Sequence, residues 1–347
     1  MVNQIDNDSK IIGARVEGFG YPSIVRVTGG RIYVMHIINS GELEVHYSDN
    51  NGTSWTLDET FTEANSIDMP CIVAYSDTDI AVAYSFSTAT NVYTIKVKMR
   101  EHAGGTWSEI YNATALASTY IIKPSLTVNK NIITRLHLMY ITNDGTDIGI
   151  RHDKTDDKGS SWVGITTKNL YSGTNSYYYR NYSLDSDLSS GDLYFFYHET
   201  RLNYFNAYRY NSSGVYQSII NFSANAPFIG GCGVVTSVNR KWFVTLISGY
   251  LRVYETLLTT GTLSTISLNI IIGVLDGHIC CGVDGNDNLY VLYTKSADEK
   301  AYLRKYDADS ATWGNEVTLT SGDGLRASCE QHILPGTEFM NYVFYSD

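Results

Sequence analysis

Pro22-Ser-Ile-Val-Arg-Val27, the turn Gly29-Gly30, Ile32-Tyr-Val-Met-His-Ile37, Leu43-Glu-Val-His-Tyr47 and Asn51-Gly-Thr-Ser-Trp55 together decide the fold. β-Branched and aromatic residues fill the runs, and Gly, Asn and Asp separate them, which favours short strands joined by tight turns. The same order of elements recurs from starts near residues 22, 70, 124, 181, 227, 278 and 327, separated by 46 to 57 residues. That period suits the four strands and turns of one propeller blade. The second run is strongly strand-like in later copies too, as in Leu193-Tyr-Phe-Phe-Tyr197 and Leu289-Tyr-Val-Leu-Tyr293. Pro22, Pro70 and Pro124 open innermost strands, where a missing ladder donor is tolerated. No segment carries a sustained helical stripe with caps.

The last repeat ends at Asp347 after about two strands' worth of chain, and residues 1–20 precede the first repeat. Joined, they make one blade, and a ring closed in this way leaves no free sheet edge between blades. The expectation is a single all-β propeller domain over residues 1–347, with seven four-stranded blades and the amino-terminal segment completing the last. Six or eight blades are the alternatives, because the fourth repeat is irregular.

With 347 residues, 43% of them hydrophobic and 18% charged, the chain can bury a core that offsets its ordering entropy, so global disorder is excluded. The formal charge of −11 disfavours nucleic acid and anionic lipid as partners, and no apolar run approaches the ~20 residues of a membrane helix. The start, Met1 to Asp8, lacks a basic region followed by an apolar stretch; the expected setting is extracellular or on a virion surface, with no secretory signal visible. Five cysteines, Cys71, Cys232, Cys280, Cys281 and Cys329, form no CxxC pair and read as buried thiols rather than zinc ligands or a disulfide framework. Asn143–Asp147 and Asp284–Asp287 read as hairpin turns, since they lack calcium-loop spacing. No cofactor and no metal is expected.

Ser48-Asp-Asn50-Asn-Gly52-Thr-Ser-Trp55 and Thr155-Asp-Asp157-Lys-Gly159-Ser-Ser-Trp162 share one pattern, with weaker copies ending at Trp107 and Trp313. These turns resemble the aspartate box, or BNR repeat, of the sialidase superfamily of propellers. The resemblance implies structural fasteners on the face away from the substrate site, with Ser48, Asn50, Gly52 and Trp55 matched by Thr155, Asp157, Gly159 and Trp162. Sialidases of that superfamily carry an Arg in an F/Y-R-I-P stretch. Here Tyr21 precedes Pro22, and Tyr cannot replace a bidentate Arg clamp, which argues against sialidase activity.

The segment Tyr177-Tyr-Tyr-Arg180, with Leu193–Arg201 and Tyr208–Tyr210, is similar to a BNR-type repeat family that includes polysaccharide lyases. That likeness implies Arg180 as neutraliser of a uronate carboxylate, with His198 and Tyr197 as base and acid. His36 and His198 also read as buried, hydrogen-bonded histidines.

In a propeller, the starts of innermost strands and the loops between second and third strands share one end. By that rule Tyr21, Asp68, Lys123, Tyr178, Arg180, His278 and Arg326 converge there, with Glu42, Asp144, Glu199, Arg201 and Glu299 on the loops. They suit an anionic sugar, or they line a water-filled channel. Tyr177–Tyr179, beside a Ser, Gly and Asn-rich loop, suits glycan stacking.

Two functions therefore stand. One is a non-catalytic, lectin-like or structural propeller, such as a phage decoration or receptor-binding protein, whose partners are a glycan or cell-surface polysaccharide and other virion proteins. The other is a polysaccharide lyase or glycosidase acting on an anionic polysaccharide. The missing arginine motif favours the first.

Overall fold

The structure is a computed structural model. It describes residues 24–345 apart from 40, 77, 102–104, 119–121, 133, 173–178, 188, 200–203, 224–227, 237–239, 248–249, 258–262, 272–278, 296, 299, 320–325 and 330–341. The fold is an all-β propeller. Blade one is β1 (Ile24–Arg26), β2 (Ile32–Asn39), β3 (Glu42–Ser48) and β4 (Thr56–Thr62). Blade two is β5 (Ile67–Ala74), β6 (Ile80–Ala89), β7 (Val92–Arg100) and β8 (Trp107–Ala117). Blade three is β9 (Ser125–Val128), β10 (Leu136–Asn143), β11 (Asp147–Thr155) and β12 (Val163–Ser172).

Blade four is β13 (Tyr179–Ser186), β14 (Leu193–Glu199), β15 (Tyr204–Tyr210) and β16 (Tyr216–Ser223). Blade five is β17 (Phe228–Val235), β18 (Arg240–Ile247), β19 (Tyr250–Leu257) and β20 (Leu263–Ile271). Blade six is β21 (Ile279–Val283), β22 (Leu289–Thr294), β23 (Ala301–Asp307) and β24 (Thr312–Trp313), with β25 (Val317–Thr318) also paired to β23. All are antiparallel meanders.

The described residues thus form six blades, not seven. Of the seventh repeat, the described residues form a two-stranded ladder, β26 (Arg326–Cys329) with β27 (Tyr342–Tyr345). Residues 1–20, expected to complete it, lie outside the described residues. The blades group into two compact units. Blades one to three form the first; blades four to six, the ladder and the segment 129–132 form the second.

In the first unit the two matched turns repeat bond for bond. Gly52 N donates to Ser48 Oγ and Gly159 N to Thr155 Oγ1, each at 2.8 Å; Ser54 N donates to Asn50 Oδ1 and Ser161 N to Asp157 Oδ1, each at 2.9 Å. Gly159 has φ +86°, and a Cβ there would stand 2.4 Å from that of Ile110 in blade two, so conformation and space both require glycine. Trp162, after the second turn, and Trp107, after a weaker copy, each fasten their blade to the previous one: Trp107 Nε1 donates to Asp58 at 3.0 Å, and Trp162 Nε1 to the Ile110 carbonyl at 2.6 Å.

Blade three also buries a histidine pair. His137 Nδ1 and His152 Nε2 are 2.9 Å apart, so one ring donates and the other accepts, which suits two neutral imidazoles. Burial, then the charges of His152, Arg135 and Lys154, hold His137 well below its ordinary pKa. Below about pH 6.5 the unfolded chain takes up a proton that the folded chain refuses. Stability is therefore expected to fall as pH drops below that value, with a slope of up to about 1.4 kcal/mol per pH unit. His137→Gln should flatten this part of the profile in urea titrations at pH 7, 6 and 5; an unchanged slope would count against the assignment.

Candidate active or binding end of the first unit

The aspartate-box-like turns connect third to fourth strands, so they sit at the end opposite the starts of β5 and β9 in each antiparallel blade. At those starts the sequence brings Asp68 and Lys123 together. Asp68 pairs with Ser85 and Cys71 with Ala83, so Met69 and Pro70 share the place opposite Tyr84. This bulge accommodates the proline within an innermost strand, which begins at Ile67 rather than at Pro70.

Asp68 is half-buried, and burial raises its pKa to about 6; the charge of Lys123, which is itself buried, pulls the other way. Tyr93, at the start of β7, is half-buried as well. Burial, then the charge of Asp68, raises its phenol. Blade two thus contributes a carboxyl and a phenol, and blade three an ammonium. A carboxyl poised near neutrality beside a cation can donate or accept a sugar hydroxyl hydrogen bond, or transfer a proton. Lys123 and Asp68 were legible from the strand-start rule. Tyr93 falls outside that rule, although it stands two residues after Asn91 in the second-to-third-strand turn, whose φ is +59°.

Other expected site residues fall differently. Tyr21, Tyr178, Arg201, His278 and Glu299 lie outside the described residues. Arg180 pairs with His198 and Tyr179 with Glu199 in the β13–β14 register, while Arg326 pairs with Tyr345; for Arg180, His198, Glu199 and Arg326 only the backbone is described. Tyr197 is 1% exposed and stacks on Tyr208 at 5.4 Å, a place in the blade interior rather than at a substrate surface. Asp144 accepts from the backbone of Thr146 and Asp147, and Asp284 from Asn286 and Asn288, as in the hairpin turns expected at both places.

These blades and turns define the class, a β-propeller. No family model and no curated protein matches the sequence. Among solved structures, the chain is similar to the α-L-arabinofuranosidase Arb93A of Fusarium graminearum, at 12% identity and TM-score 0.56, covering 81% of this chain and 89% of that one. It is similar to the Hadza microbial sialidase Hz136 at 10% and 0.56, covering 85% and 66%. A protein of unknown function from Dyadobacter fermentans matches at 15% and 0.57, covering 80% and 90%. At such identities the likeness is one of fold.

Proposed function

We propose that the protein is a non-catalytic glycan-binding propeller that takes an anionic polysaccharide at the end where its innermost strands begin. The observation that carries this reading is the half-buried Asp68, within electrostatic reach of Lys123 and Tyr93 at the same blade end. A cation for a sugar carboxylate, a carboxyl for a hydroxyl and an aromatic face form a sugar-binding set. An extracellular or virion-surface setting, with other virion proteins as partners and without nucleic acid, belongs to the same reading and fits the charge of −11. The turns at residues 48–55 and 155–162 are read as aspartate boxes of BNR type, which their shared hydrogen bonds support.

The test uses pH. Above about pH 6 Asp68 is a carboxylate that offsets Lys123 and repels an anionic sugar. Below it, the neutral acid frees more of the lysine's field and adds an O–H donor. Affinity for an oligouronate is expected to rise roughly tenfold from pH 7 to pH 5, the equivalent of about 1.4 kcal/mol. Asp68→Asn should hold the low-pH affinity at both values. Calorimetry that finds no binding across an oligouronate panel, or an Asp68→Asn profile identical to the native one, would sink the reading.

A hydrolase is the second reading, supported by an acid with a pKa suited to protonating a glycosidic oxygen and by a fold shared with two glycosidases. Hydrolysis by either stereochemical route needs a second carboxylate. Among the described residues, the influences on Asp68 are its burial and a lysine. New reducing ends, or an unsaturated product from a lyase, would establish catalysis in place of simple binding.

A further inference from the structure

Blade one brings two imidazoles and a carboxylate onto one face. His36 on β2 is the register partner of Glu44 on β3, and His46 stands opposite Val34, so period-2 alternation points all three side chains the same way. His46 Nε2 lies 2.9 Å and His36 Nε2 3.7 Å from the same atom, Glu44 Oε2. One ligand atom from each residue falls within 4.8 Å of the other two. The side chains of His36, His46 and Glu44 are 9%, 12% and 19% exposed, and the rings stack at 5.1 Å.

The corresponding places in the neighbouring blades are filled differently. Blade two has Tyr84, Lys96 and Lys98, with Tyr84 Oη and Lys96 Nζ both 2.8 Å from Glu63 of blade one. Blade three has Tyr140, Arg151 and Asp153, and Tyr111 of blade two donates to Asp153 at 2.8 Å. Blade one alone of these three offers two imidazole nitrogens to a carboxylate. The partners of Glu44 among the described residues are those two rings. A partly buried carboxylate is stabilised by a positive partner.

We infer that His36, Glu44 and His46 bind one divalent first-row transition-metal ion of zinc type. Metal bonds of about 2.0–2.1 Å in a tetrahedral site put neighbouring ligand atoms about 3.3 Å apart. The two nitrogen–oxygen separations, 2.9 and 3.7 Å, straddle that value, so small rotations of the side chains suffice. Imidazole nitrogen with a carboxylate oxygen selects zinc, nickel or copper over calcium and magnesium, which take oxygen ligands. The fourth position is left for water or another group.

Untagged full-length protein, stripped with a chelator, is titrated with zinc chloride. One ion per chain is expected, with affinity reduced in His36→Ala, Glu44→Ala and His46→Ala by more than the ~10–100-fold that loss of an outer-sphere partner costs. His137→Gln, in the other histidine pair, should bind as the native chain does. Absence of stoichiometric binding, or binding that survives all three substitutions, overturns the inference. If the variants fail to fold, ring-nitrogen NMR of the native protein decides. Zinc must shift two of the eight histidines, and an unchanged spectrum refutes the site.

Discussion

Gly233→Ala is expected to destabilise the second unit by about 3 kcal/mol, at the upper end of overpacking costs, or to prevent its folding. A Cβ at Gly233 on β17 would stand 2.4, 2.5 and 2.6 Å from Cδ1, Cε1 and Cγ of Phe196 on β14. The ring has little room to yield, because it is fully buried and packs edge-on to Phe243 at 5.2 Å. The backbone is held too: Ser183 Oγ accepts from Gly233 N at 3.0 Å and donates to its carbonyl at 3.2 Å. Phe196→Leu should recover part of the loss in the Gly233→Ala background, although it opens space when made alone. Urea midpoints for both single variants and the double variant give the coupling, expected at about 1–3 kcal/mol. A midpoint for Gly233→Ala equal to the native one would refute the close packing of blades four and five.

Asp185→Ala should be about as costly, for an electrostatic reason. This carboxylate on β13 is 1% exposed and serves three donors: Val235 N at 2.7 Å, Ser186 N at 2.8 Å and Lys130 Nζ at 2.8 Å. Burial already lowers the Lys130 pKa, and Asp185 is the first influence opposing that shift. Removal of the acid strands a lysine and a buried backbone N–H, a loss of about 3–5 kcal/mol for a fully buried pair. The Lys130 side chain keeps 21% of its exposure, so the lower figure is expected. Asp185→Asn keeps an acceptor for Val235 and should cost only about 1–2 kcal/mol. Denaturant midpoints ought to rank native, Asp185→Asn and Asp185→Ala in that order. Equal midpoints would mean that the ion pair contributes nothing.

Blade starts were legible because the signals are local. Pro124 directly precedes β9, and the starts expected near 227 and 278 fall beside Phe228 and Ile279, the first residues of β17 and β21. Pro70 misled by a few residues, since a bulge lets it sit inside β5. The blade number differs as well: the described residues form six blades and a two-stranded ladder, and residues 1–20, expected to complete a seventh blade, lie outside them. Tyr197 looked like a catalytic phenol by residue type, yet its neighbour is Tyr208, eleven residues away across a hairpin.

The sequence by itself determined an all-β chain of repeated four-stranded units with matching turns, because strand alternation and turn chemistry act over a few neighbouring residues. Tertiary structure alone decided which side chains meet. Asp68 reaches the field of Lys123 only when blade three stacks on blade two, and His36 meets Glu44 and His46 only in the β2–β3 register. Register and stacking are contacts between segments distant along the chain, and the burial they create is what raises one carboxyl toward neutrality and gathers three metal-binding groups.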